Sequence, residues 1–436
     1  MIIVERKIIS VILVSLLFLT SFFCIRYLVH PRIRLGEHTI IVNYRAKINP
    51  KKIYKIKLWD YKWPGIEGEG WYQQFIEKVV KNFEKENPNI QVSLSLLDFR
   101  EGPNIFSKAL ASGAAPDVYC SAYDIPEFDY QWQIPAAIFL KPEELNVYYP
   151  ELRKLVTLNN YQLTLPRWSV PGIWIGNRAL MEKSGLSVEQ IQRYGWSWRD
   201  LTKIKERTEP ICIGNFSANG LLSQLLTIDA RDEPDNNINR VLDIINFING
   251  PLPQKSDIEA VMFQKFLSGK VMFLGGVRPI IYDFILQKAN ESKAGLEPVI
   301  LPVPSEKPNQ IILPVENSVI GIYRHKKTGS DDQLAAATRL AYFISTYPNT
   351  APWQRLKVVP AVPAIALRWA GNLNSTDYPG QLVKWFNEAS IVNLKVPPGY
   401  QEEVYPGLKN FLSGKMNHQE LEGIIKKNYD KVYMSE

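Results

Sequence analysis

Trp59, Tyr61 and Trp63 sit close together at the end of an alternating apolar segment, with Asp60 among them. A second group, Tyr119, Tyr123 and Asp124, follows Pro116-Asp117-Val118. Rings beside carboxylates suit the binding of a small molecule, because rings supply apolar platforms and acids supply hydrogen-bond acceptors. Acids can also hydrolyse glycosidic bonds, but that needs two carboxyls roughly 5–10 Å apart across a cleft. The spacing of Asp60, Asp117, Asp124 and Glu316 selects no such pair. The usual serine-hydrolase elbow, G-x-S-x-G, is absent. His30, His38, His325 and His418 are scattered, so no metal site is expected. Cys24, Cys120 and Cys212 form neither a CxxC pair nor a disulfide framework. Gly65, Gly68 and Gly70 run in the reverse order of the dinucleotide fingerprint, so no nucleotide cofactor is expected.

The elements that must position these residues follow from periodicity. Tyr54, Ile56 and Leu58 alternate with lysines, which predicts a strand over residues 53–59. Trp71, Tyr72, Phe75, Ile76, Val79, Val80 and Phe83 fall on one face of a helix, which Asn87-Pro88-Asn89 ends. Ile90, Val92, Leu94 and Leu96 then alternate with polar residues, so the period returns to that of a strand. Strand, helix, strand in this order pairs the strands in parallel through a right-handed crossover. A second helix is predicted over 103–112, with Gly113 at its end, and a strand over 116–119. In open parallel sheets ligands bind beyond the carboxyl ends of the strands, and both aromatic groups fall there.

The chain has 436 residues, too many for one ordinary core, so two lobes with extensions are expected. Its 46% apolar and 22% charged residues are those of a globular protein. The net charge is +7, yet acids are interleaved with the basic residues throughout, which argues against nucleic-acid binding. No charge interrupts the apolar run Ile8 to Ile25. Its length suits a membrane anchor. No A-x-A cleavage site lies near it, since the first alanine is Ala46, and Phe23 before Cys24 suits lipidation of that cysteine poorly. The flanking charges, Arg6 and Lys7 against Arg26, Arg32 and Arg34, do not fix the orientation.

Five further segments carry a resemblance. Phe83 to Val92 with Ala109 to Val118 is the first, and Val170 to Arg178 the second. Leu180 to Leu186 with Ser197-Trp198-Arg199-Asp200-Leu201 is the third, and Asp200 stands in capping-box position to Ser197. Phe266 to Met272 and Leu412 to Leu421 complete the set. In this order and spacing, the chain from residue 53 to about 430 resembles the family 1 extracellular solute-binding proteins, the maltose-binding-like receptors of ABC importers. FLSGK occurs twice, at 266–270 and 411–415, and is read as two helices ending alike rather than as a repeat.

The resemblance implies an α/β, two-lobed periplasmic-binding-protein-like fold of type II with hinge-linked lobes, and the apolar run Ile8 to Ile25 is expected to add an N-terminal transmembrane helix before it. The expected division is residues 1–26 as anchor or signal and 27–52 as a polar, basic stalk. Residues 53–165 plus 303–348 then form the N-lobe, and 166–302 plus 349–436 the C-lobe. Crossovers are expected near Leu165-Pro166-Arg167, Leu301-Pro302-Val303-Pro304 and Thr346 to Thr350. An ectodomain starting near residue 45 is expected to fold without the anchor.

The expected activity is capture of a solute, with an oligosaccharide as its class, on the extracytoplasmic face of the cell membrane. Delivery to ABC permease subunits follows, and neither a metal, a cofactor nor catalysis is implied. A ligand-presenting partner of a sensor kinase keeps the same fold, and a membrane-anchored glycan hydrolase is the more remote alternative. Facing the expected cleft are Trp59, Tyr61, Trp63, Tyr119, Tyr123, Asp124, Arg167, Trp168, Trp174, Arg278, Glu316, Asn317 and Tyr400. Each has a structural alternative. Trp59 and Trp174 also suit a core, Arg278 can pair with a surface acid, and Glu316-Asn317 can cap a loop after Pro314. Where the family carries an aromatic, this chain has Gly275-Gly276-Val277-Arg278, so Arg278 could meet an anionic group on the ligand.

Overall fold

The computed structural model describes residues 15, 17, 19–21, 32–63, 70–207, 213–215, 218–229, 238, 241–244, 258–291, 295–307, 309–325, 330–371, 378–394 and 403–433. The chain divides into two compact units. Unit 1 comprises Met1–Asn146, Val156–Pro166 and Val319–Tyr347, and unit 2 comprises Val147–Leu155, Arg167–Ser318 and Pro348–Glu436.

Unit 1 is built on the predicted strand–helix–strand. Strands Tyr54–Tyr61 and Ile90–Leu97 pair in parallel, Tyr54 opposite Ile90 and Tyr61 opposite Leu97. The helix Trp71–Glu86 between them buries Tyr72, Ile76, Val79, Val80 and Phe83, the apolar face read from the sequence. Val118–Cys120 adds in parallel on the other side of Tyr54–Tyr61. It also pairs antiparallel with the second half of the strand Ile312–Tyr323. The helix Asp331–Ser345 covers this sheet with Leu334, Ala336, Ala337, Leu340, Ala341 and Ile344. Asp117 is a structural acid here, accepting hydrogen bonds from the Lys57 amide at 2.8 Å and from Gln333 at 3.2 Å.

The stretch expected as a stalk is in part folded. Strands Arg32–Leu35 and His38–Ile41 form a hairpin, with Ile33 opposite Ile40. Ile33, Leu35, Ile40 and Val42 are buried, so this segment packs instead of standing in solvent. Burying four aliphatic side chains removes enough apolar surface from water to outweigh the polar character of the remainder. A cut near residue 45 therefore removes part of a core. Among the described residues no helix is long and apolar enough to cross a membrane, and most of the Ile8–Ile25 run lies outside them.

Unit 2 holds a four-stranded mixed sheet in the order Ile213–Asn215, Phe273–Val277, Ile173–Asn177 and Pro298–Leu301. Trp174, Trp196, Trp198, Met181, Phe273, Leu221, Leu222 and Leu225 make its core. The helix Ala218–Asp229 reaches the sheet closely because Gly220 lies against the Gly276 carbonyl. A Cβ at Gly220 would come within 2.7 Å of that oxygen, so only glycine allows this approach. The first half of Ile312–Tyr323 pairs in parallel with Ser390–Asn393, and Leu165–Pro171 pairs antiparallel with Val359–Pro360.

Ser-Gly dipeptides end four helices in the same way. At Ser112-Gly113, Ser184-Gly185, Ser268-Gly269 and Ser413-Gly414 the glycine has positive φ. In each, the glycine amide bonds a carbonyl three residues back and the next amide bonds one five back. Lys270 to Lys265 at 2.9 Å and Lys415 to Asn410 at 2.8 Å are two cases. This is the Schellman stop, and it accounts for the two FLSGK segments without a repeat.

The chain passes between units at Pro166–Arg167, Ser318–Val319 and Tyr347–Pro348. The second passage lies downstream of Leu301-Pro302-Val303-Pro304, where the prolines placed it. Those prolines are held within unit 2, because the Trp196 indole donates to the Pro302 carbonyl at 2.7 Å. A further excursion, Val147–Leu155, belongs to unit 2. Tyr149 fixes it, with its ring 5.6 Å from that of Phe386.

Candidate functional site

In unit 1 the carboxyl ends of the parallel strands gather the first candidate group. Asp60 is fully buried and accepts the Tyr72 hydroxyl at 2.6 Å and the Tyr61 amide at 2.8 Å. It thereby ties the end of its strand to the following helix. Tyr61 and Tyr119 are both buried, and their hydroxyls share a hydrogen bond of 2.6 Å. Burial pushes the Tyr61 phenol up to about 12, and burial also raises Tyr119, so both are neutral donors at physiological pH. The Tyr119 ring lies flat on Phe106, with centroids 3.7 Å apart. Trp59 is half-buried and sits in register with Tyr119.

Beyond the strand ends the rings form a nest. Trp63 packs edge-on to Phe99 at 4.6 Å and to Tyr123 at 5.1 Å. Phe99 lies 5.2 Å from Tyr61 and 6.1 Å from Tyr123. Trp63 is buried, whereas Phe99 and Tyr123 are half-buried and Asp124 is exposed. Surrounding protein still removes enough water to raise the Asp124 carboxyl pKa, partly offset by backbone hydrogen bonds. Phe99 escaped the sequence reading. Its signal was positional, since it stands two residues past the strand Ile90–Leu97, as Trp63 stands two past Tyr54–Tyr61.

Unit 2 places its candidates differently. Trp174 is fully buried, with its ring 5.6 Å from Trp196 and 5.9 Å from Trp198, and Gly275 leaves room for it. It is a core residue, its ring enclosed by those of Trp196, Trp198 and Phe273. Trp168 and Arg167 are also buried, and the Arg167 guanidinium lies 6.0 Å from the Trp353 ring. Arg278 is exposed and forms an ion pair with Glu316. The two candidates thus meet each other, and the charge suggested for an anionic ligand group is taken up by Glu316. Burial pushes the Glu316 carboxyl up, and the Arg278 charge and hydrogen bond offset only part of that rise. Its Oε2 accepts from no described residue. Next to it, Asn317 accepts the Ser169 hydroxyl at 2.6 Å and donates to Asn393 at 2.8 Å. Ser169 and Asn393 are polar partners that the sequence did not single out. Tyr400 lies outside the described residues.

Unit 1 therefore offers a half-open set of rings, and unit 2 a polar row of Ser169, Asn317, Asn393, Glu316 and Arg278. Among the described residues no cluster of His, Cys, Asp or Glu could hold a metal. Solved structures share the fold. The Listeria monocytogenes ABC substrate-binding protein Lmo0181, in complex with cycloalternan, matches with a TM-score of 0.58 at 15% identity, over 87% of this chain and 99% of that one. The sugar-binding protein MalE of Xanthomonas citri matches with a TM-score of 0.60 at 15% identity, over 88% and 100%. Maltose-bound MalE3 of T. maritima matches with a TM-score of 0.55 at 17% identity, over 87% and 99%. Among curated proteins, none matches the chain by sequence. The sequence profile described as bacterial extracellular solute-binding protein matches residues 66–329, which is more than half of the chain. Periodicity, ordered segments and this match agree, and the chain belongs to the bacterial extracellular solute-binding proteins.

Proposed function

We propose that this chain captures an oligosaccharide and hands it to the permease of an ABC importer on the extracytoplasmic face of the membrane. The observation that carries this reading is the ring nest of Trp63, Phe99 and Tyr123 at the carboxyl ends of parallel strands. Sugar C–H faces stack on such rings. Glu316, Arg278 and the amide of Asn317 add the directional partners that sugar hydroxyls need. Trp59, Tyr61, Tyr119 and Asp124 belong to the same proposal as supports or rim of the nest. Arg167 and Trp168 would shape the path of the chain between the units.

The structures that share the fold include sugar-bound receptors, which supports the ligand class. The solute is held by hinge closure, since contacts made with both units exist only in the closed state. The Ile8–Ile25 run serves as the membrane anchor. The chain acts as a binder rather than as an enzyme.

Thermal melting of the full chain in detergent micelles tests this against malto- and chito-oligosaccharides and a set of charged solutes. A ligand that binds only the native state raises the melting temperature as its concentration exceeds Kd. An upshift with an oligosaccharide is the expected result. A shift only with charged solutes, or none across the panel, sinks the proposal.

A further inference from the structure

We infer that the docked segment of residues 33–53 presents a basic, aromatic-tipped surface that rests on an anionic lipid bilayer. The hairpin has two faces. Ile33, Leu35, Ile40 and Val42 are buried, so the alternate residues Arg34, Thr39 and Ile41 face outward. Arg34 lies opposite Thr39, two residues from Ile41, which puts a cation and an exposed isoleucine on one face. The segment continues with exposed Tyr44, Arg45, Lys47, Lys51 and Ile53. The Arg45 guanidinium lies 5.7 Å from the Tyr44 ring.

Against Arg34, Arg45, Lys47 and Lys51 stands a single exposed acid in the segment, Glu37. Lys52 is engaged separately, at 2.7 Å from Asp332. An exposed tyrosine and exposed isoleucines among cations are the chemistry of a headgroup layer, where rings sit at the interface and Lys and Arg meet lipid phosphates.

The segment is also fixed in place, which a flexible linker would not be. Arg324 donates to the Ile41 carbonyl at 3.0 Å and the Asn43 amide donates to Asp331 at 2.9 Å. Arg324 and Asp331 pair at 2.8 Å, and His38 stacks on Tyr130 at 3.8 Å. A surface held this firmly to unit 1 would orient unit 1 on the bilayer, not merely tether it. The inference rests on the anchor reading for the nearness of the membrane, while the surface itself stands on the described residues.

Hydrogen exchange of the full chain in bilayer nanodiscs tests it, with neutral phosphatidylcholine set against a mixture containing roughly one-third phosphatidylglycerol. Amides of residues 43–53 should exchange about threefold or more slowly in the anionic discs, and added salt should abolish the difference. The quadruple variant Arg34→Glu, Arg45→Glu, Lys47→Glu, Lys51→Glu should lose the slowing. All four side chains are exposed, so its melting temperature should stay near that of the parent. Equal exchange in both discs overturns the inference. So does slowing that survives the charge reversal, or slowing that appears only when a protein partner is added. An alkaline carbonate wash separates the two readings. If the chain washes off, the anchor reading fails, and sedimentation of the washed chain with anionic but not neutral vesicles still decides the surface.

Discussion

The two aromatic clusters of this protein are made of the same residue types and differ in what surrounds them. In unit 2, Trp174, Trp196, Trp198 and Phe273 are buried against one another in a closed core. In unit 1, Trp63, Phe99 and Tyr123 stand past the ends of parallel strands, and two of the three remain half-exposed. Aromatic content alone therefore does not mark a binding surface. Exposure separates the two clusters, since Phe99 and Tyr123 keep part of their surface open while the unit 2 rings do not.

The largest effect that would test this contrast is on stability. Trp174→Ala should cost about 3–5 kcal/mol, read from the denaturant midpoint, because it opens a cavity in a closed core. A cost under about 0.5 kcal/mol would place Trp174 outside the core. The hairpin offers a second test on unit 1. Leu35→Ala should cost about 2–4 kcal/mol, whereas the exposed Ile41→Ala should stay within about 0.5 kcal/mol. Equal small losses would mean that the hairpin is not part of unit 1.

The polar row of unit 2 gives a smaller and pH-dependent effect. Glu316 has its pKa raised in the folded state, so the folded protein holds the proton more tightly than the unfolded chain does. Stability linked to this group is present at low pH and falls as pH climbs past the ordinary carboxyl value. Arg278→Ala removes the partner that offsets the rise. Because Arg278 is half exposed and water screens the pair, the loss should be only about 1–1.5 kcal/mol at pH 8 and less at pH 5. A loss independent of pH would remove Glu316 from the explanation.

The smallest effect comes from the tyrosine pair of unit 1. Tyr61→Phe should cost about 1 kcal/mol at neutral pH by breaking one hydrogen bond. In the parent, Tyr61 titrates at about 12 when folded and near 10 when unfolded. Stability should therefore decline as pH rises from 10 to 12, and the variant should decline less.

Much of unit 1 was legible in the sequence because its cues are local. The apolar face of Trp71–Glu86 and the alternations on either side survive intact as helix and strands. The Ser-Gly stops were readable for the same reason. Ser197 and Asp200 also meet, since the Asp200 carboxylate accepts the Ser197 amide at 2.9 Å and its hydroxyl at 2.8 Å. The remainder depends on contacts distant in sequence. No local pattern shows that Asn317 meets Ser169 and Asn393, or that Arg278 meets Glu316. The prolines at 302–304 looked like a crossover, but Trp196, about a hundred residues earlier, holds them in unit 2. The hairpin escaped because two strands of four residues are too short for a periodicity to stand out.

The account stands or falls on whether the ring nest of unit 1 holds a sugar. Calorimetric titration of the best oligosaccharide into the parent and into Tyr123→Ala is the most direct measurement. Loss of one stacking ring should weaken binding about tenfold or more, equivalent to about 1.4 kcal/mol, while the free protein still melts cooperatively. The core control Trp174→Phe should bind as the parent does. Parent-like affinity in Tyr123→Ala, or no oligosaccharide bound by the parent, would contradict it.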